Sequence, residues 1–175
     1  MPELPEVETI KRQLIPRLVN KKIHNVKVFW PNIIANKTKE EFINELSNQV
    51  FMDITRKGKW LIFELTTDYL IVHLRMEGKF FLKSHNEEVN KHEHIIFDLG
   101  DIELRYQDTR KFGKMYLIKK EYLYTSKPIS ELGLEPFDSN LNVSYLKDKY
   151  IKKRLSIKEV LLDQSIVTGI GNIYA

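Results

Sequence analysis

Trp60-Leu61-Ile62-Phe63-Glu64-Leu65 decides how most of this chain is read. Five of the six residues are apolar, and aromatic or branched side chains dominate. The run is too short for a buried helix and fits one strand. The polar pair Thr67-Asp68 follows, and the apolar pattern resumes at 69–75, which predicts a second strand across a tight turn. The same alternation of short runs and turns extends in both directions. Strands are expected at 22–30, 50–57, 59–66, 69–75, 79–84, 93–99, 102–106 and 113–119. His94-Ile95-Ile96-Phe97-Asp98-Leu99 is as clear as the first run, and Glu77-Gly78 and Gly100-Asp101 mark further turns. Many short strands with close connections predict a two-sheet sandwich or flattened barrel.

Helices flank this block. Val7, Ile10, Leu14 and Leu18 recur at helical spacing, Pro5 suits an early helical position, and Glu6 and Glu8 favour the positive end. Pro16 is expected to bend or end that helix. A second helix is predicted over 39–49, capped by Thr38, with Phe42, Ile43 and Leu46 inward. Beyond residue 127, Lys127-Pro128 and Glu135-Pro136 punctuate a linker. Val143, Leu146 and Tyr150 then fit one helix, and Ile157, Val160, Leu161 and Leu162 another. Thr168-Gly169-Ile170-Gly171-Asn172 reads as a glycine-rich turn, and a third helix has barely begun at Ala175. The fold class is therefore α+β. A β-sandwich with a packed N-terminal helix is expected over 1–134, and an incomplete helical domain over 135–175.

The formal net charge is +4, and the basic residues cluster: Arg56, Lys57 and Lys59; Arg110, Lys111 and Lys114; then Lys147, Lys149, Lys152, Lys153, Arg154 and Lys158. One cluster is an ordinary solvated face, whereas three point to a polyanionic partner. No cysteine is present, which excludes disulfides and cysteine-ligated metals here and fits a cytosolic protein. No apolar stretch approaches the roughly 18–20 residues of a membrane span. The acidic start lacks the basic and apolar order of a secretory signal.

Met1-Pro2-Glu3-Leu4-Pro5-Glu6-Val7-Glu8 is the stretch richest in chemistry. Removal of Met1 would leave Pro2 with a secondary amine. An α-amino group titrates at roughly 7.7–8, so part of it is unprotonated near neutrality. Such an amine can attack C1′ of a deoxyribose, and the resulting iminium is already cationic, an electron sink for elimination of the 3′ phosphate. Glu3 beside it can carry protons. Taken alone, both residues are equally ordinary at a helix start.

The run MPELPEVE resembles the N-terminal signature of the formamidopyrimidine-DNA glycosylases. Four further stretches, in order along the chain, are similar to family features. Arg56-Lys57-Gly58-Lys59 resembles the lysine-bearing turn, and His73-Leu74-Arg75-Met76-Glu77-Gly78 the damage-probing loop. Asp108-Thr109-Arg110-Lys111-Phe112-Gly113 resembles the void-filling loop. Thr168-Gly169-Ile170-Gly171-Asn172-Ile173-Tyr174-Ala175 resembles the turn of a helix–two-turn–helix motif.

The resemblance implies Pro2 as nucleophile, Glu3 as general acid/base and Lys59 near the lesion. It implies Glu6 on the base or sugar, and Met76, Arg110 and Phe112 entering the duplex as the damaged base is flipped out. His73, Lys158, Gly171 and Asn172 would meet DNA, the turn through amides aimed at phosphate. Damaged double-stranded DNA is the implied partner, the protein a bacterial cytoplasmic monomer, and the activity excision of 8-oxoguanine and formamidopyrimidines followed by β,δ-elimination, with no cofactor in the chemistry. The family's structural zinc, held by four cysteines in a C-terminal finger, is expected outside these residues.

Two rivals are weighed against this reading. The related endonuclease VIII group, which prefers oxidised pyrimidines, usually carries Gly where this chain has Leu4, and the Arg110–Phe112 loop also speaks against it. A non-catalytic DNA-damage binder would need neither Pro2 nor Glu3.

Overall fold

A computed structural model describes residues 1–175. Eight strands form, one inside or overlapping each expected segment. They are β1 (Asn25–Val28), β2 (Asp53–Lys57), β3 (Trp60–Glu64), β4 (Asp68–His73), β5 (Lys79–Lys83), β6 (Glu93–Asp98), β7 (Glu103–Gln107) and β8 (Lys114–Lys119). They make two four-stranded sheets, ordered β1-β6-β7-β5 and β2-β3-β4-β8, with antiparallel pairing throughout. The main core lies between the sheets. Leu61, Phe63, Leu70, Val72 and Leu117 come from one side; Val26, Ile95, Phe97, Leu104 and Tyr106 from the other.

The period-two geometry of a strand explains the unbroken apolar run at 60–65. Leu61 and Phe63 enter the main core, while Trp60 and Ile62 face the opposite side of the sheet with Ile71 and Ile118. That second face is covered by Leu123 and Ile129, next to short 3-10 turns at Lys120–Tyr122 and Ile129–Glu131. A sheet covered on both faces needs apolar residues at every position.

Helix α1 (Leu4–Leu18) buries Val7, Leu14 and Leu18 in the main core, with Ile10 half-buried. Pro16 does not end it. The helix runs two residues further, and Val19 donates to the Ile15 carbonyl at 3.1 Å. Helix α2 (Lys39–Leu46) starts as expected, with the Thr38 side chain accepting from the Glu41 amide at 3.1 Å. It stops three residues before the predicted end. Asn48 adopts a positive φ of 71°, which no helix continues, and Gln49 turns its side chain inward to Asp68 at 2.6 Å.

The C-terminal segment is thinner. Helix α3 (Val143–Tyr150) has no buried residue, and α4 (Ile157–Leu161) has only Val160. Val160, Ile166 and Val167 form a separate small cluster, and the Tyr145 hydroxyl donates to the Ile166 carbonyl at 2.7 Å. The stretch read as a linker is tied down rather than free. The Leu134 amide donates to Ile166 and the Thr168 amide to Leu134, at 3.2 and 2.9 Å.

Candidate active site

The start of α1 carries the first site residues. Glu3 is its N-cap and is 2% exposed. Its backbone N–H donates to Glu6 Oε2 at 2.9 Å, which employs the Glu6 carboxylate as a helix cap. The position expected to touch base or sugar therefore also holds Glu3 in place. One oxygen of the Glu3 carboxylate accepts from the Ile173 amide at 2.9 Å; the other, Oε2, is buried and has no partner. An unpartnered buried carboxylate oxygen is costly in a finished structure and expected where a substrate group completes it.

Ile173 follows the glycine-rich turn, and the glycines explain how that turn comes so close. A Cβ on Gly171 would lie 2.4 Å from the Glu3 carboxyl carbon. Gly169, at φ 99°, approaches Leu4 in the same way. The Gly169 amide does not face outward as the sequence suggested: it donates to Gln164 Oε1 at 2.8 Å. The amides of Gly171 and Asn172 have no internal acceptor and remain able to hold an anion.

The β2–β3 turn brings in Lys59. Arg56 binds Glu8 of α1 at 3.0 Å, Glu135 at 3.0 Å and the Gly58 carbonyl at 2.8 Å, and the Gly58 amide donates to Glu135. Arg56 is thus an internal bracket, not part of an outward basic patch. Lys59, 6% exposed, forms no ion pair or hydrogen bond. Burial pushes its ammonium below the usual lysine range, against the attraction of Glu3.

His73, at the end of β4, packs edge-on against Trp60 at 4.7 Å, and its Nδ1 accepts from the Arg75 amide at 3.0 Å. Burial above all, then Arg75 and Lys59, lowers its pKa to about 3. It is neutral at physiological pH and can offer only its other ring nitrogen as a donor.

Met1, Lys59, His73, Gln164, Gly171 and Asn172 line one cleft of about 250 Å³. A larger cleft of about 430 Å³ lies beside Arg56, Tyr69, Leu134 and Glu135, but it holds the internal ion pair and no candidate nucleophile. Pro2 and Glu3 line neither cleft; the smaller one is the candidate because Lys59, His73 and the Gly171–Asn172 turn meet there beside Met1.

Two exposed loops stand outside this cleft. Met76 is 42% and Phe112 51% exposed, as wedge residues require. Arg110 lies over the Phe112 ring at 5.0 Å. Asp108 shapes the second loop: its carboxylate accepts from the amides of Arg110, Lys111 and Gly113 at 3.1, 3.0 and 2.8 Å. Lys158 sits on α4 within 151–159, where every residue is exposed.

Sequence reasoning missed Gln164, which also donates to the carbonyls of Leu162 and Ile170 at 3.1 and 2.8 Å and so sets the turn. It also missed Asp108, although an Asp at a strand end before a polar loop is a turn signal. No group of three or more His, Asp or Glu residues is placed to hold a metal ion.

Comparison with known proteins points to one family. The profile of the formamidopyrimidine-DNA glycosylase N-terminal domain matches residues 1–115, and that of the family's H2TH domain matches 132–175. The formamidopyrimidine-DNA glycosylase of Geobacillus kaustophilus is 45% identical over 99% of this chain, and the chain spans 64% of that relative's length. Among solved structures, Lactococcus lactis Fpg in complex with DNA containing an abasic site superimposes with a TM-score of 0.92 at 37% identity. That match covers 99% of this chain and 64% of the other. The wild-type Lactococcus lactis protein with DNA containing N7-benzyl-Fapy-dG matches with the same TM-score, identity and coverage.

Proposed function

Because the chain belongs to the formamidopyrimidine-DNA glycosylase family, we propose that it carries the chemistry of a DNA glycosylase and abasic-site lyase acting on oxidised purines in base excision repair. The sandwich over 1–134 supplies the reacting groups, and 135–175 begins a helix–two-turn–helix DNA-binding domain. The observation that carries the reading is the Glu3 carboxylate: buried, with one oxygen unpartnered, next to Pro2 and under a turn whose free amides suit a phosphate.

With Met1 removed, the Pro2 lone pair forms a bond to C1′ while the electrons of the glycosidic bond leave with the base. Glu3 supplies the proton the departing base or opening sugar requires. Ring opening gives the Pro2 iminium. Loss of a C2′ proton then pushes electrons through C1′ and expels the 3′ phosphate, and a second elimination expels the 5′ phosphate. Lys59, unpaired at the cleft, is placed to hold a phosphate or base edge. His73 contributes a neutral N–H. Gly171, Asn172 and Lys158 hold the backbone, and Met76, Arg110 and Phe112 fill the space of the flipped base. Glu6 holds Glu3 by its amide and stands at the edge of the sugar.

No cofactor takes part in these steps. The family's structural zinc finds no ligand set among these residues, which include no cysteine. A monomer on damaged duplex DNA in the bacterial cytoplasm, at the nucleoid, fits the reading; no helix is long and apolar enough to cross a membrane.

Borohydride trapping of the full-length protein on abasic-site DNA tests the proposal. The adduct should map to the Pro2 nitrogen, and Glu3→Gln should slow excision of 8-oxoguanine more than cleavage at a preformed abasic site. An adduct on Lys59 alone would overturn the assignment. Faster processing of thymine glycol than of 8-oxoguanine opposite cytosine would favour an oxidised-pyrimidine enzyme instead.

A further inference from the structure

Trp30 has no place in any buried cluster of the fold, yet it is held in a defined contact. It is 36% exposed, and the Lys111 ammonium sits 3.8 Å from the centre of its ring. Lys111 is the middle residue of the Arg110–Phe112 loop and adopts a positive φ of 59°. Its two neighbours stack on each other, while Lys111 itself reaches Trp30.

Trp30 stands where the chain leaves β1 and enters a rail: Phe29 before it donates to the His94 carbonyl at 2.8 Å. Residues 30–36 run along the outer edge of β8. Asn36 bonds the Leu117 backbone on both sides, accepting its N–H at 3.1 Å and donating to its carbonyl at 2.9 Å. Ala35 donates to the Met115 carbonyl at 2.8 Å, and Lys114 donates to the Asn32 carbonyl at 2.7 Å. Ile33 and Ile34 fasten the rail in the main core. The loop is therefore gripped from two directions. Asp108 ties its backbone from inside, and Trp30 holds its central side chain from outside.

We infer that Trp30 is a positioning residue for the wedge loop. By fixing Lys111 through a cation–π contact, it presents Arg110 and Phe112 to the duplex already paired, so that less ordering remains when the base is flipped. This rests on the glycosylase reading above.

The test uses the full-length protein with Trp30→Leu, Trp30→Phe, Lys111→Met and the Trp30→Leu/Lys111→Met double variant. Single-turnover excision of 8-oxoguanine opposite cytosine is compared with cleavage of single-stranded DNA carrying a preformed abasic site, which has no base to flip and no gap to fill. Trp30→Leu should slow duplex excision about fivefold, the size expected of a partly exposed cation–π contact. Trp30→Phe should keep most of the rate, and the double variant should be no slower than Lys111→Met. Single-strand cleavage and the salt dependence of duplex affinity should not change with Trp30→Leu.

Unchanged duplex excision in Trp30→Leu would overturn the inference. So would equal loss on both substrates, additive loss in the double variant, or a flatter salt slope, which would make Trp30 part of a phosphate contact. Wild-type protein that cleaves neither substrate would instead sink the glycosylase reading itself.

Discussion

The sandwich and the C-terminal segment reach order by different means. The sandwich closes on itself: 25 buried residues fill one continuous core, and a second set of six covers the back of one sheet. Over 143–175 the buried apolar cluster has only three members, and α3 packs Tyr145, Leu146 and Tyr150 against it without burying any of them fully. What holds that segment is contact with the sandwich, through Glu3 on Ile173, Thr168 against Gly58, and Leu134 beside Val167. The region with the large core thus differs from the region that completes the site. Stability and function are separable by mutation here.

The largest effect should come from the sandwich. Phe63→Ala empties a fully buried position and should cost about 3–5 kcal/mol in denaturant unfolding, whereas Leu146→Ala on α3 should cost under about 1 kcal/mol. Equal losses would mean the two regions share one core after all.

Gly171→Ala should reverse the ranking. The new methyl meets the Glu3 carboxyl at 2.4 Å, so the turn must retreat from the cleft. Excision should fall about a hundredfold, while the unfolding midpoint shifts less than in Phe63→Ala. Retained activity would show that Glu3 works without the turn.

The smallest effect lies in acid. The pKa of His73 is depressed from 6.5 to about 3, so the unfolded chain binds a proton that the folded one refuses. The stability from neutral His73 is complete above pH 6.5 and declines as pH falls toward 3, by about 1.4 kcal/mol per pH unit at most. Glu8, lowered to about 2 by Lys11 first, adds its own loss only below pH 4.5, which leaves a window from 6.5 to 4.5 for His73. His73→Asn, which keeps an acceptor for the Arg75 amide, should flatten the unfolding curve in that window. An unchanged slope would assign the acid sensitivity to another group.

All eight strands were legible because each is a short apolar run between polar turns, and the cap Thr38 and the first-turn Pro5 told where helices start. What was not legible is long-range. Nothing near Arg56 announces that its partners are Glu8 and Glu135, so it read as a DNA-facing charge. The segment around Leu134 read only as a linker because its partner lies at Ile166. The early stop of α2 depends on Asn48 taking a positive φ and on Gln49 finding Asp68, again a contact outside the window of periodicity. At the site, the residue types of Pro2, Glu3 and Lys59 were visible from the family signature, but the turn-setting Gln164 and the gripping Trp30 act through other residues and leave no pattern of their own.

The bond from Ile173 to Glu3 joins positions 170 residues apart. In a chain made from its N-terminus, the acid and its neighbouring amine leave the ribosome long before the turn that covers them. The sandwich can assemble around its own core in the meantime, because none of its strands lies beyond residue 119. Pro2 and Glu3 therefore exist early with that side of them open, and a closure of long sequence separation follows the sandwich. If the proposed chemistry holds, it waits on a contact made late in synthesis: a shorter nascent chain holds Pro2 and Glu3 without the turn that covers them.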